Sequence, residues 1–229
     1  MTLDDVAQVT YDDAGGVRWA IVALRAPAAD AAPVVLRELS GYRVVTDDTA
    51  FADLLVAGGG RVQRRAHDYV YDLSAPPAEP VAPQGFRLSH DLDVEALAPV
   101  KDRANPPGHP DHQPGLDHVA DLRELLSGQV IGAIVRDATW QVSGADGPCG
   151  AILVCERPDP GTWVLDVFVD PRLHGRGLGG LLLRASLAGA ARADYPAMGL
   201  VVTDGNPARA AYEAVGFRLR MSGTNVELP

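Results

Sequence analysis

The chain has 229 residues, 47% of them hydrophobic and 22% charged, with a formal net charge of −10. That composition supports a substantial folded core, excludes a disordered polymer and argues against a general nucleic-acid binder. No apolar run approaches the ~20 residues of a membrane span, and the opening MTLDDVAQVTYDD has neither the basic nor the apolar region of a secretory signal, so a cytoplasmic protein without membrane partners is expected.

In chain order, VRWAIVALR predicts a strand and APVVLRELSG a helix, with the glycine-free APAADAA as the loop between them. The proline-rich SAPPAEPVAPQG then marks a boundary, dividing the chain into residues 1–73, a linker over 74–84 and a second region over 85–229. Downstream, GFRLSH predicts a short strand, and DVEALAPVKDRA an amphipathic helix that its interior proline should bend or stop. After the loop NPPGHPDHQPG, DHVADLRELLSG predicts a second helix, capped by Asp117 and ended by Gly128. TWQVSG, PCGAILVCE and TWVLDVFVD read as three successive strands, the first two joined by the turn GADG. Then come a glycine-rich loop, a helix from about Leu178 to Asp194, the strand MGLVVTD, the helix NPARAAYEAVG and a last strand around FRLRM and NVEL. Cys149 and Cys155 fall on one strand about 20 Å apart, too far to bridge, and read as core thiols.

Charge is unevenly spread. Residues 1–84 carry seven arginines against twelve acids, residues 85–166 six basic against thirteen acidic, and residues 167–229 seven arginines against five acids. The balances are −5, −7 and +2, so only the segment with the glycine loop is basic. An anionic ligand there and a cationic one beside the acidic segment both fit.

In VFVDPRLHGRGLGGLLLR, four glycines fall among residues 175–180. Successive glycines let neighbouring N–H groups converge on one anion, and the helix that follows adds its unpaired amides and positive dipole end. Gly175, Gly177 and Gly180 also spell the dinucleotide fingerprint GxGxxG, with Asp204 ending the next strand. In a Rossmann unit, however, the first glycine closely follows its strand; here DPRLH intervenes and one βαβ unit remains. The second motif is TDGNPARAAYEAVGF, in which Asn206 suits an N-cap, Pro207 the first helical position and Gly216 the C-terminal cap.

With HGRGLG after VFVDP, this second motif resembles the GNAT superfamily of acyl-CoA-dependent N-acyltransferases, over about residues 85–229. The family pattern opens its glycine loop with Gln or Arg; His174 stands there instead, with Gly177 and Gly179 at the two fixed small positions. The resemblance implies an α+β fold: a mixed, mostly antiparallel sheet flanked by helices, with a central parallel strand pair whose strands, ending at Val169 and Val202, splay apart. Acetyl-CoA is the implied co-substrate, its pyrophosphate held by His174, Gly175, Arg176, Gly177, Leu178, Gly179 and Gly180. Its pantetheine arm runs along Val167, Phe168 and Val169, with Asn206 and Arg209 as further contacts. The implied chemistry is direct attack by an amine in a ternary complex. A backbone N–H near Phe168 or Val169 stabilises the oxyanion, and Tyr212 protonates the leaving thiolate. Asp166, in the strand beside the thioester, is the carboxylate best placed as general base, although a pairing role and a water chain are open alternatives.

His109, His112 and His118, with Asp111 and Asp117, gather in the loop before the second helix. Their spacing is loose for a metal site, and none is expected; the loop reads first as lining of the acceptor pocket and second as a solvated loop. Residues 42 onward match residues 199 onward at an offset of 157, with Val44, Val45, Thr46, Asp47, Ala57, Gly59 and Arg61 meeting identical residues. That internal repeat makes residues 1–73 a degenerate GNAT-like half-domain, without the glycine loop and with Leu55 opposite Tyr212. The expected acceptor is a small cationic amine, with a protein amine as the other class, and the chain is expected to act as a monomer or homodimer. A non-catalytic acyl-CoA sensor and a Rossmann-like oxidoreductase are the alternative functions.

Overall fold

The structure, a computed structural model, describes residues 1–12 and 17–229. The chain forms two compact units, one of residues 1–68 with 220–229 and the other of residues 69–219. The division does not fall at the proline-rich segment, and the last strand of the chain belongs to the first unit.

The first unit contains helix α1 (Leu3–Val6), strands β1 (Ala7–Asp12) and β2 (Trp19–Leu24), helix α2 (Ala28–Glu38), strand β3 (Arg43–Thr46), helix α3 (Thr49–Ala57) and most of strand β4 (Arg61–Asp72). Helix α2 starts inside the segment expected to be a loop. Five alanines and no glycine lie in APAADAA, and alanine is the best helix former, so only Arg25–Pro27 remain as the connection. Strand β2 pairs antiparallel with β1 and parallel with β3, with Ala20 opposite Val44. On the other side of β3 runs the chain's final strand, β10 (Arg218–Glu227), with Val226 opposite Val44. Val22, Val35, Leu39, Val44, Phe51, Leu55 and Val226 form the core of this unit.

The second unit holds the remaining elements: β5 (Arg87–Ser89), α4 (Val94–Ala104), α5 (His118–Leu126), β6 (Trp140–Gly144), β7 (Gly147–Arg157), β8 (Gly161–Val169), α6 (Leu178–Arg192), β9 (Ala197–Thr203) and α7 (Arg209–Val215). Its strand order is β4-β9-β8-β7-β6-β5, antiparallel at β5-β6, β6-β7 and β7-β8 and parallel at β8-β9. Strand β7 is buried from Cys149 to Cys155 because both of its faces are covered. Leu181, Leu182, Leu183 and Leu187 of α6 cover one side, while Leu97 and Val100 of α4 and Leu122 of α5 cover the other. Helix α4 runs through Pro99 to Ala104 and is not stopped by it. Asp117 caps α5 by accepting from the amides of Val119 and Ala120. No helix among the described residues is long and apolar enough to cross a membrane.

Candidate functional site

The parallel pair at the centre of the second unit is short. β8 and β9 are in register only at Thr162 with Met198 and Trp163 with Gly199. Just beyond, the β7-β8 register steps from Val154 opposite Val164 to Leu153 opposite Asp166, which leaves Leu165 as an extra residue. Such a bulge bends its strand, and it lies where the β8-β9 ladder stops. From there on, β8 stays paired with β7 on one side, while its other side runs clear of β9 along Asp166–Val169. The Phe168 side chain packs with α4 and α5, and Val167 and Val169 pack on the α6 side. The main chain of this stretch, not its side chains, therefore faces the gap between the strands.

The glycine loop begins where β8 ends. Asp170, 2% exposed, caps the short 3-10 turn Pro171–Leu173 by accepting from the amide of Arg172 at 3.0 Å. The same carboxylate accepts from Arg172 Nε and Nη2 at 2.9 and 2.6 Å and from Arg103 Nε and Nη2 at 3.1 and 2.7 Å. These bonds, led by those from Arg172, hold the Asp170 carboxyl below the usual carboxylate range. They also tie the root of the loop to the end of α4.

Gly175 and Gly177 follow at φ of +78° and +75°, and a Cβ built on either meets nothing within 4 Å. Backbone conformation, rather than crowding, requires glycine there. Gly177 is the N-cap of the 15-residue helix α6 and provides no side-chain cap, so the first amides of α6 lack a partner from the cap. His174, Gly175, Arg176 and Gly177 are exposed, with Gly179 and Gly180 behind them. Left-handed glycines, uncapped amides and flanking cationic side chains fit a pyrophosphate.

Tyr212 of α7 is buried beside Phe217, their ring centroids 6.2 Å apart. Burial, and after it the nearby carboxylates of Asp166 and Asp111, push its phenol well above the ordinary tyrosine value. Asp166 lies on β8 with Oδ2 2.5 Å from Lys101 Nζ. Asp111, from the loop before α5, accepts from Thr203 Oγ1 at the end of β9 and from Asn206 Nδ2 at 2.6 Å. That loop is thereby fastened to the β9-α7 turn, at the open end of the gap.

The other expected residues are placed differently. Asn206 does not cap a helix directly: its Oδ1 accepts from the Ala208 amide at 2.8 Å in a turn, and α7 begins only at Arg209. Arg209 Nε donates to Glu213 Oε1 at 3.0 Å, and its guanidinium lies 5.9 Å from the centroid of the Tyr69 ring. The loop histidines make separate contacts. His112 Nδ1 lies 2.8 Å from the Asn105 carbonyl oxygen, His109 Nδ1 accepts from the Asp111 amide at 3.2 Å, and His118 Nε2 is 3.5 Å from Asp102 Oδ1. Asp170, Arg103 and Lys101 escaped the sequence reading. Asp170 carried a signal, an acid between strand and proline at a cap position, whereas Lys101 and Arg103 meet their partners only through helix packing.

A mixed sheet that divides at a parallel pair, with a glycine loop and an uncapped helix at the division, defines the N-acetyltransferase class of fold. Comparison agrees: the sequence model of the acetyltransferase (GNAT) family matches residues 102–217, just over half of the chain. The chain belongs to that family, whose general activity is acyl-CoA-dependent acetyl transfer. A GCN5-related N-acetyltransferase from Sphaerobacter thermophilus superposes with a TM-score of 0.65 at 15% identity, covering 96% of this chain and 76% of that one. One from Kribbella flavida gives 0.59 at 14% identity over 99% and 91%. A tandem GNAT protein from the clavulanic acid biosynthesis pathway gives 0.56 at 15% identity over 96% and 78%. At these identities the likeness is one of fold. No curated protein sequence matches the chain.

Proposed function

We propose that the second unit transfers an acetyl group from acetyl-CoA to the primary amine of a small cationic molecule. The observation that carries this reading is the coincidence of the divided β8-β9 pair, the exposed glycine loop and a buried Tyr212 flanked by Asp166 and Asp111.

When bound, acetyl-CoA supplies an activated acyl thioester. The amides from Gly175 to Gly180 hold its pyrophosphate, and the main chain of Val167, Phe168 and Val169 receives the pantetheine arm. An N–H near Phe168 or Val169 donates to the carbonyl oxygen as negative charge develops there. Asp166 attracts the acceptor ammonium and accepts its proton. Tyr212, kept protonated by burial and by two carboxylates, holds the proton that the departing thiolate takes up. A cationic acceptor beside Asp166 offsets part of the field that raises the phenol, so its binding makes Tyr212 a better acid.

Residues 1–73 form, in this reading, a degenerate half-domain. The strand–helix–parallel strand–helix order of β2, α2, β3 and α3 repeats that of β8, α6, β9 and α7. Where Tyr212 stands in one, Leu55 is a fully buried core residue in the other. The likeness to a tandem GNAT protein supports the same view.

Incubation with acetyl-CoA and a panel of cationic, neutral and acidic amines, with free thiol as the readout, tests the proposal. Thiol release restricted to neutral or acidic amines would remove the cationic acceptor. Calorimetry showing no CoA binding would remove the whole reading.

A further inference from the structure

Lys101 is the single lysine of the chain; all other members of its twenty Lys and Arg residues are arginines. It is also buried, at 6% exposure, where a charge is costly unless compensated. From α4 its Nζ lies 2.5 Å from Asp121 Oδ2 on α5 and 2.5 Å from Asp166 Oδ2 on β8. Both contacts are ion pairs at hydrogen-bond distance, the one with Asp121 the better directed, and Asp166 Oδ2 is itself buried. The face of the Phe168 ring closes the site, 6.0 Å from Nζ.

One ammonium thus serves two carboxylates, and it serves them unequally. Asp121 takes the better-directed bond, and Asp166 is held first by the field of the charge. A compact ammonium on a flexible stem suits such a shared site better than a planar guanidinium, which favours one carboxylate in a bidentate grip. The groups facing Asp166 are Lys101 from α4, Asp121 from α5, Tyr212 from α7 and, beyond Tyr212, Asp111 from the loop. Of these only Lys101 is positive. Burial pushes the Asp166 carboxyl up and Asp121 pushes it further, with Lys101 as the main counterweight.

We infer that Lys101 is a positioning residue for the transfer reaction: shared with Asp121, it keeps the Asp166 carboxylate ionised, so that it can take up the proton of the acceptor amine. The inference rests on the reading of Asp166 as base. Deprived of Lys101, Asp166 would be a buried acid beside a second carboxylate, and it would carry its own proton when it should take one from the ammonium.

Carbon-13 NMR of the full chain labelled at aspartate Cγ follows the titration of Asp166 directly, its signal assigned by loss in Asp166→Asn. Lys101→Met should raise the midpoint by about 1–3 pH units, the range of an opposite charge removed at short distance. Lys101→Arg restores the charge and should return the midpoint toward the wild-type value. Asp121→Asn removes a like charge and leaves Lys101 wholly to Asp166, so it should lower the midpoint. A midpoint unmoved in Lys101→Met, or raised equally in Lys101→Arg, overturns the inference. Should Lys101→Met fail to fold, Asp121→Asn decides: a midpoint left in place or raised overturns it as well. Failure of the base role shows separately, as an Asp166→Asn variant that acetylates the panel amines at the wild-type rate, and the titrations still report on the pairing with Lys101.

Discussion

Tyr212 lies buried where its phenol stays protonated, which suits both an acid and a packing residue, so the two roles must be separated by rate. Tyr212→Phe keeps the ring and its edge contact with Phe217 but loses the proton. Acetyl-CoA affinity by calorimetry should be unchanged and turnover should fall by roughly 10- to 10⁴-fold. Turnover within about twofold of wild type would make Tyr212 a packing residue, since general acids contribute far more than that. Asp170 allows a pH argument. Its folded carboxyl titrates below the ordinary value because Arg172 and Arg103 bond to the charged form. A depressed acid contributes stability that is complete above its unfolded value of about 3.9 and is lost as pH falls through the folded value. The gap in melting temperature between wild type and Asp170→Asn should therefore be constant from neutral pH to about pH 5 and shrink only below about pH 4. A gap that already narrows between pH 7 and about pH 5 would mean that other groups carry it.

At the scale of elements, the proposed anion cradle depends on a loop conformation that non-glycine residues adopt only with strain. Gly177 has φ of +75° and open space where a side chain would go, so Gly177→Val should fold yet hold the loop badly. Backbone strain of about 1–3 kcal/mol, released when the loop leaves its binding form, predicts a loss of CoA affinity of about tenfold or more with little change in melting temperature. Calorimetry with CoA and a thermal melt distinguish the outcomes, and unchanged affinity would place the pyrophosphate elsewhere. The bulge at Leu165 matters at the same scale. It lies where the β8-β9 ladder stops, beyond which the main chain of β8 is unpaired on the side of β9.

For the whole molecule, the location of β10 alters what a truncation does. Deleting residues 1–73 removes β3, whose Val44 and Val45 pair with Val226 and Asn225, and removes the core into which Val226 and Leu228 are packed. Each of those two apolar side chains is worth about 1.5–3 kcal/mol when buried. The remaining chain should show lower solubility and a lower melting temperature, and further removal of residues 220–229 should recover part of the solubility. A residue 74–229 fragment that stays monomeric and melts at the full-length temperature would refute this.

Much was legible from local pattern alone. The glycine loop, the cap of α5 by Asp117, the left-handed Gly216 after α7 and the burial of β7 follow from short stretches, because backbone preference and hydrophobic period act over a few residues. The errors were local as well: alanines drew α2 into an expected loop, and Asn206 closed a turn three residues ahead of the helix it was expected to cap. The sequence by itself determined the family, since the glycine loop and the second motif are contiguous stretches within the residues that the family's model matches. Tertiary structure alone decided which charges meet. Asp111 reaches Thr203 and Asn206 across 92 and 95 residues, Asp170 holds Arg103 across 67, and Lys101 stands between Asp121 and Asp166. It also decided that the last strand joins the first unit. Such contacts depend on how sheets and helices pack, and no pattern along the chain encodes a pairing between residues so far apart.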